Sequence, residues 1–375
     1  MPGGAVGGVV RRPGRSAAGG RRLGPETAVR RRAWPLERRA RTELVGELRL
    51  IEKLRGVIGQ PGPGTVIGIG DDAAVLEPPT GLPVFTCDAF VEGVHFRREY
   101  ASLEEIGWKC MVANLSDVGA MGGFPTRAVV SVCIGPDTNE CDVLDLYRGM
   151  LDASKKYGAE VVGGDVVSSP SGLIVSIALL GVVDRDRVVT RRGAVPGDAL
   201  VVTGELGGSG AGLRALEEGL PREGAAARAV ERHLRPVPRI AEAQALIDVA
   251  TPHAMIDVSD GLTTDALHLA EESDAGVLLR REAVPVAGAA VEMAGRFASD
   301  PVELALSSGE EFEMLVALPA SEVRRSIEHV EAVTGTRLTM IGEVVERSRG
   351  SVVVGAGGEE PLRSTGYEHA VGRNR

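Results

Sequence analysis

The chain lacks most of the features that would place it in a common functional class. It holds four cysteines (Cys87, Cys110, Cys133 and Cys141) and no Cys-x-x-Cys pair. Neither a zinc ribbon nor a disulfide framework fits that spacing, and a reducing, cytoplasmic setting is expected. The longest apolar run, Ile174 to Val183, has 10 residues; a bilayer needs about 20, so no membrane span is expected and the run reads as a buried strand. No Gly-Lys dipeptide occurs, which excludes a Walker phosphate loop. No Gly-x-Ser-x-Gly occurs either, and no cysteine stands in an activating context, so nucleophilic catalysis has no support.

What the chain does have is length and negative charge. At roughly 100–200 residues per domain, 375 residues suggest two domains. The net charge of −10 is unevenly spread. Residues 1–42 carry 11 arginines against Glu26 and Glu37, a net +9, which leaves −19 on the remaining 333 residues. An acidic body disfavours nucleic acid, and an anionic substrate would need metal ions to bridge it to carboxylates. The Arg/Gly-rich head has no helical or strand period and is expected to be disordered over 1–41. It has no apolar stretch that would make it a secretory signal. A translated upstream region, a basic interaction arm and an organelle transit peptide all remain open for it.

Order is expected from Thr42, with Leu44, Leu48, Ile51 and Leu54 on one helical stripe that ends at Pro61-Gly-Pro-Gly64. Strands and helices then alternate to residue 192: VIGIG, PVFTCDAF, the helix SLEEIGWKCMVANLSDVGAMG, TRAVVSVCIG, the helix ECDVLDLYRGMLDASKKYG, AEVVGGDVVS and GLIVSIALLGVV. A second unit, 193–375, opens with GAVPGDALVVTG and continues through a glycine-rich turn into GLRALEEGL. It then has a helix over Arg239–Val249, the MIDVSD strand and a helix over Gly261–Ser273. Its last third reads as strands with one helix, Ala320–Thr334. The class is α+β, with no residue-level repeat between the halves.

Acids recur at the ends of apolar or glycine-rich segments: Asp71 and Asp72 in GIGDDAAVL, Asp88 in FTCDAF, Asp117 in NLSDVGAMG, Asp165 in VVGGDVVS, and Asp257 and Asp260 in IDVSDGL. One such aspartate is ordinarily a helix cap or turn residue. Five turns of one design point instead to a shared metal and phosphate site, because carboxylates placed there are costly to bury unpaired. No Lys or Arg stands beside them, and Mg²⁺ takes carboxylate and phosphate oxygens together. Gly68, Gly70 and Ala73 match G-x-G-x-x-A with Asp88 downstream. Asp71 and Asp72 would then face a pyrophosphate, and Pro78-Pro79 leave no room for the helix that such a site needs. The turn Gly204–Gly212 could hold an anion on its amides, although close helix–strand packing explains its glycines as well. His95 lies nearest an acid-bearing turn, and a structural role and a substrate contact are both open for it.

These segments resemble a family. GIGDDAAVL, TCDAFVEGVHF, NLSDVGAMGGFP, VVGGD, VTRRGAVPGD, HLRPVPR, IDVSDGL and SSGEEFEML follow the order and approximate spacing of the thiamine-monophosphate kinases, of the aminoimidazole-ribonucleotide-synthase-like superfamily. The resemblance covers about Val45 to Tyr367. It implies two α/β domains per chain, 42–192 for metal and ATP binding and dimerisation and 193–375 as a C-terminal α+β domain. The N-terminal domains would pair into the sheet or barrel of a homodimer. It also implies transfer of phosphate from ATP to thiamine monophosphate with Mg²⁺. Residue by residue, it implies metal ligation by Asp72, Thr86, Cys87, Asp88, Asp117, Asp165, Asp257 and Asp260, with Asp72, Asp117 and Asp257 central to catalysis. ATP would be met by Tyr147, Gly164, Asp165, Arg191 and Ser259, and thiamine monophosphate by His95, Glu310 and Tyr367. Cys87 stands where the family has Thr, so its contact to a hard cation is expected through the backbone carbonyl. Ser308, Glu311 and Phe312 replace Gly, Asp and Tyr of the family's pattern.

Other branches of the superfamily fit less well. The selenium-activating branch needs a reactive cysteine before the first acidic turn, whereas Cys87 is the first in the chain. The branch that dehydrates a carboxamide carried on a partner's C-terminal cysteine should itself end in Cys, whereas this chain ends in Ala-Val-Gly-Arg-Asn-Arg. A nucleotide- or metal-binding regulatory protein without turnover remains a separate possibility.

Overall fold

A computed structural model describes residues 46–367; the expectations for residues 1–41 and for a helix start at Thr42 fall outside the described residues. Helix α1 (Glu47–Ile58) buries Leu50 and Leu54, while Leu48 is 82% exposed. The expected stripe is therefore rotated. The packed face runs through residues 50 and 54, with Ile51 half-buried, because that face meets the next helical layer.

A short pair, β1 (Thr65–Ile67) and β2 (Val75–Leu76), precedes a four-stranded sheet. Its strands are β3 (Leu82–Val91), β4 (Phe124–Ile134), β5 (Glu160–Ser168) and β6 (Ile174–Val183), in the order β3-β6-β4-β5. Only β4 and β5 run parallel. Helices α2 (Leu103–Ala120) and α3 (Glu140–Tyr157) connect these strands, and both start on full capping boxes, at Ser102 and Asn139. The two helices pass so close that a Cβ on Gly107 would sit 2.0 Å from the Leu146 carbonyl oxygen, and one on Gly149 would sit 1.9 Å from that of Glu104. Burial alternates strictly along β6: Val175, Ile177 and Leu179 face the helices, and Ser176, Ala178 and Leu180 face away. The long apolar run of the sequence thus buries one face only within the chain.

The second half builds a seven-stranded sheet from β7 (Ala199–Thr203), β8 (Ala254–Asp257), β9 (Gly276–Arg280), β10 (Met314–Leu318), β11 (Leu338–Val345), β12 (Val352–Gly355) and β13 (Gly358–Pro361). The strand order is β13-β12-β9-β11-β7-β10-β8. Among the described residues seven α-helices accompany it: α4 (Gly208–Glu217), α5 (Gly224–Leu234), α6 (Ile240–Val249), α7 (Leu262–Glu272), α8 (Gly288–Phe297), α9 (Pro301–Ser307) and α10 (Val323–Thr334). Helices α8 and α9 correct the expectation of a single helix in the last third, and α5 was not anticipated. Both α5 (GAAARAVERHL) and α8 (GAAVEMAGRF) carry an apolar stripe built largely from alanine, burying Ala229, Val230, His233 and Leu234 on α5 and Ala289, Ala290, Met293 and Phe297 on α8. They form because neighbours press on them. A Cβ on Gly212 of α4 would lie 2.1 Å from the Ala229 carbonyl oxygen of α5.

One cluster of buried apolar residues runs from Val130 and Ile177 through Met111 and Leu115 of α2 to Ala211, Ala229 and Phe312. Helix α2 is accordingly buried almost all round, as expected of a helix packed on several sides.

Candidate active site

Helix α2 is mostly apolar, so its buried polar residues stand out: Lys109, Asn114, Ser116 and, half-buried, Asp117. All four reach acids or strands on other elements, Lys109 through Glu310. Thr86 of β3 donates its hydroxyl to Asp117 Oδ2 at 2.6 Å. Ser116 donates to Asp257 Oδ2, also at 2.6 Å, across 141 residues of sequence. Asn114 accepts the Asp88 amide at 3.2 Å and donates to the Cys110 carbonyl oxygen at 3.1 Å. One helix therefore fixes Thr86 and Asp88 from β3, Asp117 on itself and Asp257 at the end of β8.

The carboxylates brought together here repel one another. Burial and then the charge of Asp117 push Asp88 up to about 6. Burial, Asp117 and Asp88 push Asp257 up to about 7, against the opposing Ser116 hydrogen bond and Arg191. Asp117 is raised by burial and held back by Thr86 and Arg191. Arg191, exposed just before the second half, is thus the cation these carboxylates sense. Mutually repelling, all-oxygen donors of this kind fit a hard divalent cation.

Beyond β8, the chain turns at Ser259-Asp260-Gly261. The turn is held by Asp265, whose Oδ2 accepts the amides of all three residues at 3.1 Å each. Burial and then Asp257 and Asp260 raise Asp265 to about 8. Asp260, Asp265 and His268 offer donor atoms within 4.8 Å of one another. Sequence reasoning missed Asp265 and His268; the signal was their spacing behind Asp260 on α7.

Glu310 and Tyr367 join the same turn. The Glu310 amide donates to the Ser259 carbonyl oxygen at 2.7 Å, and the Tyr367 amide to that of Asp260 at 3.0 Å. His95 is half-buried after β3; its Nδ1 accepts the Val91 amide at 3.0 Å, and its ring meets the edge of Phe90.

The remaining expected residues lie elsewhere. Cys87 alternates to the other face of β3 from Thr86 and Asp88. Its Sγ lies 3.6 Å from Ser176 Oγ, so its side chain does not join the acids. Asp165 is exposed, in register with Ser131 across β4 and β5. Its charge adds to the burial that raises the phenol of Tyr147, which is itself buried under the sheet. Gly164 has a structural reason to be glycine, since a Cβ would lie 1.9 Å from the Val130 carbonyl oxygen. Asp72 is exposed in the β1–β2 turn, where its amide donates to Asp71 Oδ1.

The glycine-rich turn at 204–212 is already engaged. The amides of Gly207 and Ser209, at the start of α4, donate to Glu311 Oε1 at 2.9 and 3.1 Å, and Ser308 donates to the same oxygen at 2.6 Å. Glu311 is fully buried and pushed up to about 7 by that burial. The chain's own carboxylate occupies the anion position considered for this turn, and Ser308 and Glu311 act as a pair. Glu313, also fully buried, is clamped by Arg239, with Nε at 2.7 Å and Nη2 at 2.8 Å, and by Thr203 and Arg232.

Comparison with known proteins matches both halves. The family described as AIR synthase related protein, N-terminal domain, matches residues 70–183, and its C-terminal domain counterpart matches 195–355. A thiamine-monophosphate kinase of Rhodopirellula baltica is 37% identical over 295 residues, 76% of this chain and 85% of that protein. The crystal structure of the thiamine-monophosphate kinase of Stenotrophomonas maltophilia superposes with a TM-score of 0.73 at 29% identity, covering 85% of this chain and 98% of that one. That of AaThiL complexed with AMPPCP and TMP gives 0.69 at 31% identity, covering 88% and 99%.

Proposed function

The chain belongs to the AIR synthase related family and within it groups with the thiamine-monophosphate kinases, and from that premise we infer how its residues carry the reaction. It is a kinase that phosphorylates thiamine monophosphate to thiamine diphosphate with ATP. The observation that carries the reading of the site is the convergence on α2 of Thr86, Asp88, Asp117 and Asp257, with carboxylates raised by burial and by one another.

Asp88, Asp117 and Asp257, with Asp260 on the following turn, hold Mg²⁺, which supplies charge neutralisation for the ATP phosphates. Arg191, whose charge reaches Asp117 and Asp257, is the cation available to ATP phosphates there, and Ser259 lies beside Asp260 in the turn held by Asp265. Asp72 and Asp165 are exposed on the same chain and enter as ligands through the resemblance alone, as do Tyr147 and Gly164 for ATP; Cys87 enters through its carbonyl oxygen. Glu310, Tyr367 and His95 form the acceptor end. The acceptor is a phosphate that is already an oxyanion at neutral pH, so the residues must position and neutralise charge rather than abstract a proton. That suits a chain with many acids and six histidines.

The outward face of the four-stranded sheet carries Phe85 at 67% exposed, with Val129 and Val167 also exposed. An apolar face of this kind is expected to be covered, and pairing with a second copy across it gives a homodimer. Among the described residues no helix is long and apolar enough to cross a membrane. A cytoplasmic enzyme acting on small molecules, with no nucleic-acid partner, is the corresponding setting. The test is ADP release by the purified protein with Mg²⁺ and ATP, with and without thiamine monophosphate. Release that depends on thiamine monophosphate is expected, and its absence would overturn the reading.

A further inference from the structure

Lys109 is the one buried polar residue of α2 whose partner is neither a strand end nor a metal-site acid. It is 3% exposed, and its Nζ contacts Glu310 Oε2 and lies 3.2 Å from His233 Nε2. An ammonium has only donors, so His233 Nε2 must accept, and its proton sits on Nδ1, 3.0 Å from Ser209 Oγ. Burial and the charge of Lys109 hold His233 neutral, consistent with that tautomer. Ser209 in turn donates its amide to Glu311, which also accepts from Ser308. The chain of contacts therefore runs Glu310–Lys109–His233–Ser209–Glu311–Ser308, joining α2, α5, the start of α4 and the loop 308–313.

That loop is strained. Glu310 has φ +57° and Phe312 φ +53°, a left-handed conformation that non-glycine residues adopt at a cost. Such a backbone persists only where its surroundings over-determine it. The amides of Glu310 and Phe312 pin it to Ser259 and Val258, and Lys109 holds the Glu310 carboxylate.

We propose that Lys109 is a positioning residue for the acceptor end of the site: buried on α2 and backed by neutral His233, it engages Glu310 Oε2 and leaves Oε1 directed at thiamine monophosphate. This rests on Glu310 contacting that substrate, as set out above. Because Asn114, Ser116 and Asp117 lie on the same helix, Lys109 also ties the distance between acceptor end and metal end to one rigid element. The ammonium further balances the Glu310 carboxylate, so that the pair stays neutral when the substrate is absent.

The experiment is steady-state kinetics with each substrate varied, on Lys109→Met, Lys109→Arg and Glu310→Gln and on the Lys109→Met/Glu310→Gln double variant. Lys109→Met is expected to raise KM for thiamine monophosphate by about 10-fold or more, the effect of losing a charge-assisted bond, while KM for ATP changes by less than about 2-fold. Lys109→Arg should recover part of the loss. In the Glu310→Gln background Lys109→Met should add little, since the two act as one unit. A Lys109→Met enzyme with both KM values unchanged, or fully additive effects, overturns the proposal. If Lys109→Met does not fold, His233→Leu, which removes the acceptor behind the ammonium, must raise KM for thiamine monophosphate selectively, and an unchanged value overturns it. A failed proposal here still leaves an active kinase, whereas an inactive wild-type protein would instead refute the functional reading.

Discussion

Replacing Asp117 with Asn removes one charge from the acid cluster and preserves its shape, so it separates chemistry from architecture. Asp117 lies in the last turn of α2, where no basic residue offsets it and the helix dipole disfavours a carboxylate by about 0.3–1 kcal/mol. Asp88 is held at about 6, against an ordinary 3.8, by burial first and Asp117 second. Its whole displacement corresponds to about 3 kcal/mol at neutral pH, of which the share owed to Asp117 is smaller than that of burial, and Asp117 raises Asp257 in the same way. Against this, the 2.6 Å bond from Thr86 loses its charge assistance, about 1 kcal/mol, while the Asn carbonyl still accepts it. The metal-free variant should therefore melt at the wild-type temperature or up to about 4 °C above it at pH 7. That gain should vanish at pH 5, where Asp88 and Asp257 are largely protonated in the wild type as well. Turnover at saturating Mg²⁺ should fall about 10²-fold or more, as for loss of a preorganised electrostatic group. Scanning calorimetry without metal, paired with the ADP-release assay, reads both quantities. An Asp117→Asn protein that melts several degrees lower yet turns over normally would make Asp117 a structural residue and refute the reasoning.

Three further outcomes are expected. Asp88, Asp257, Asp265 and Glu311 are all raised, to about 6, 7, 8 and 7. The folded chain thus binds more protons than the unfolded one between about pH 4 and 8, and the contribution of these four groups to metal-free stability should fall as pH rises across that window. Denaturant midpoints at pH 5, 6, 7 and 8 test this, and a midpoint rising with pH over that range contradicts it. Gly164→Ala should cost more than about 2 kcal/mol in urea titration, because its Cβ meets the Val130 carbonyl oxygen at 1.9 Å and the β4–β5 pairing must shift; a near-neutral change would show that the edge strand yields. Phe85→Glu places a charge on the exposed apolar face and should convert a dimer to a monomer by light scattering at micromolar concentration, with monomer melting little changed; a wild-type monomer removes the dimer from the reading.

The sequence by itself determined the local elements and the chemistry of the donors. The segments read as strands at 83–90, 126–135, 159–168 and 172–183 and as helices at 102–122 and 140–158 fold as β3, β4, β5, β6, α2 and α3 with ends shifted by up to two residues, because apolar periodicity is a local signal whereas the ends depend on pairing and capping. The side on which Cys87 falls was also within reach, since a period of two places it opposite Thr86 and Asp88. Which acids meet was a matter of tertiary structure. Ser116 finds Asp257 over 141 positions and Lys109 finds Glu310 over 201, and no local pattern encodes a pairing at that range. The occupation of the glycine-rich turn by Glu311 was hidden for the same reason: amides at a helix start advertise an anion, and only packing decides whether that anion is a ligand or the chain's own carboxylate. Helices α5 and α8 were legible in principle, since each buries one apolar face, but short helices of this length gain most of their stability from the neighbours they pack on.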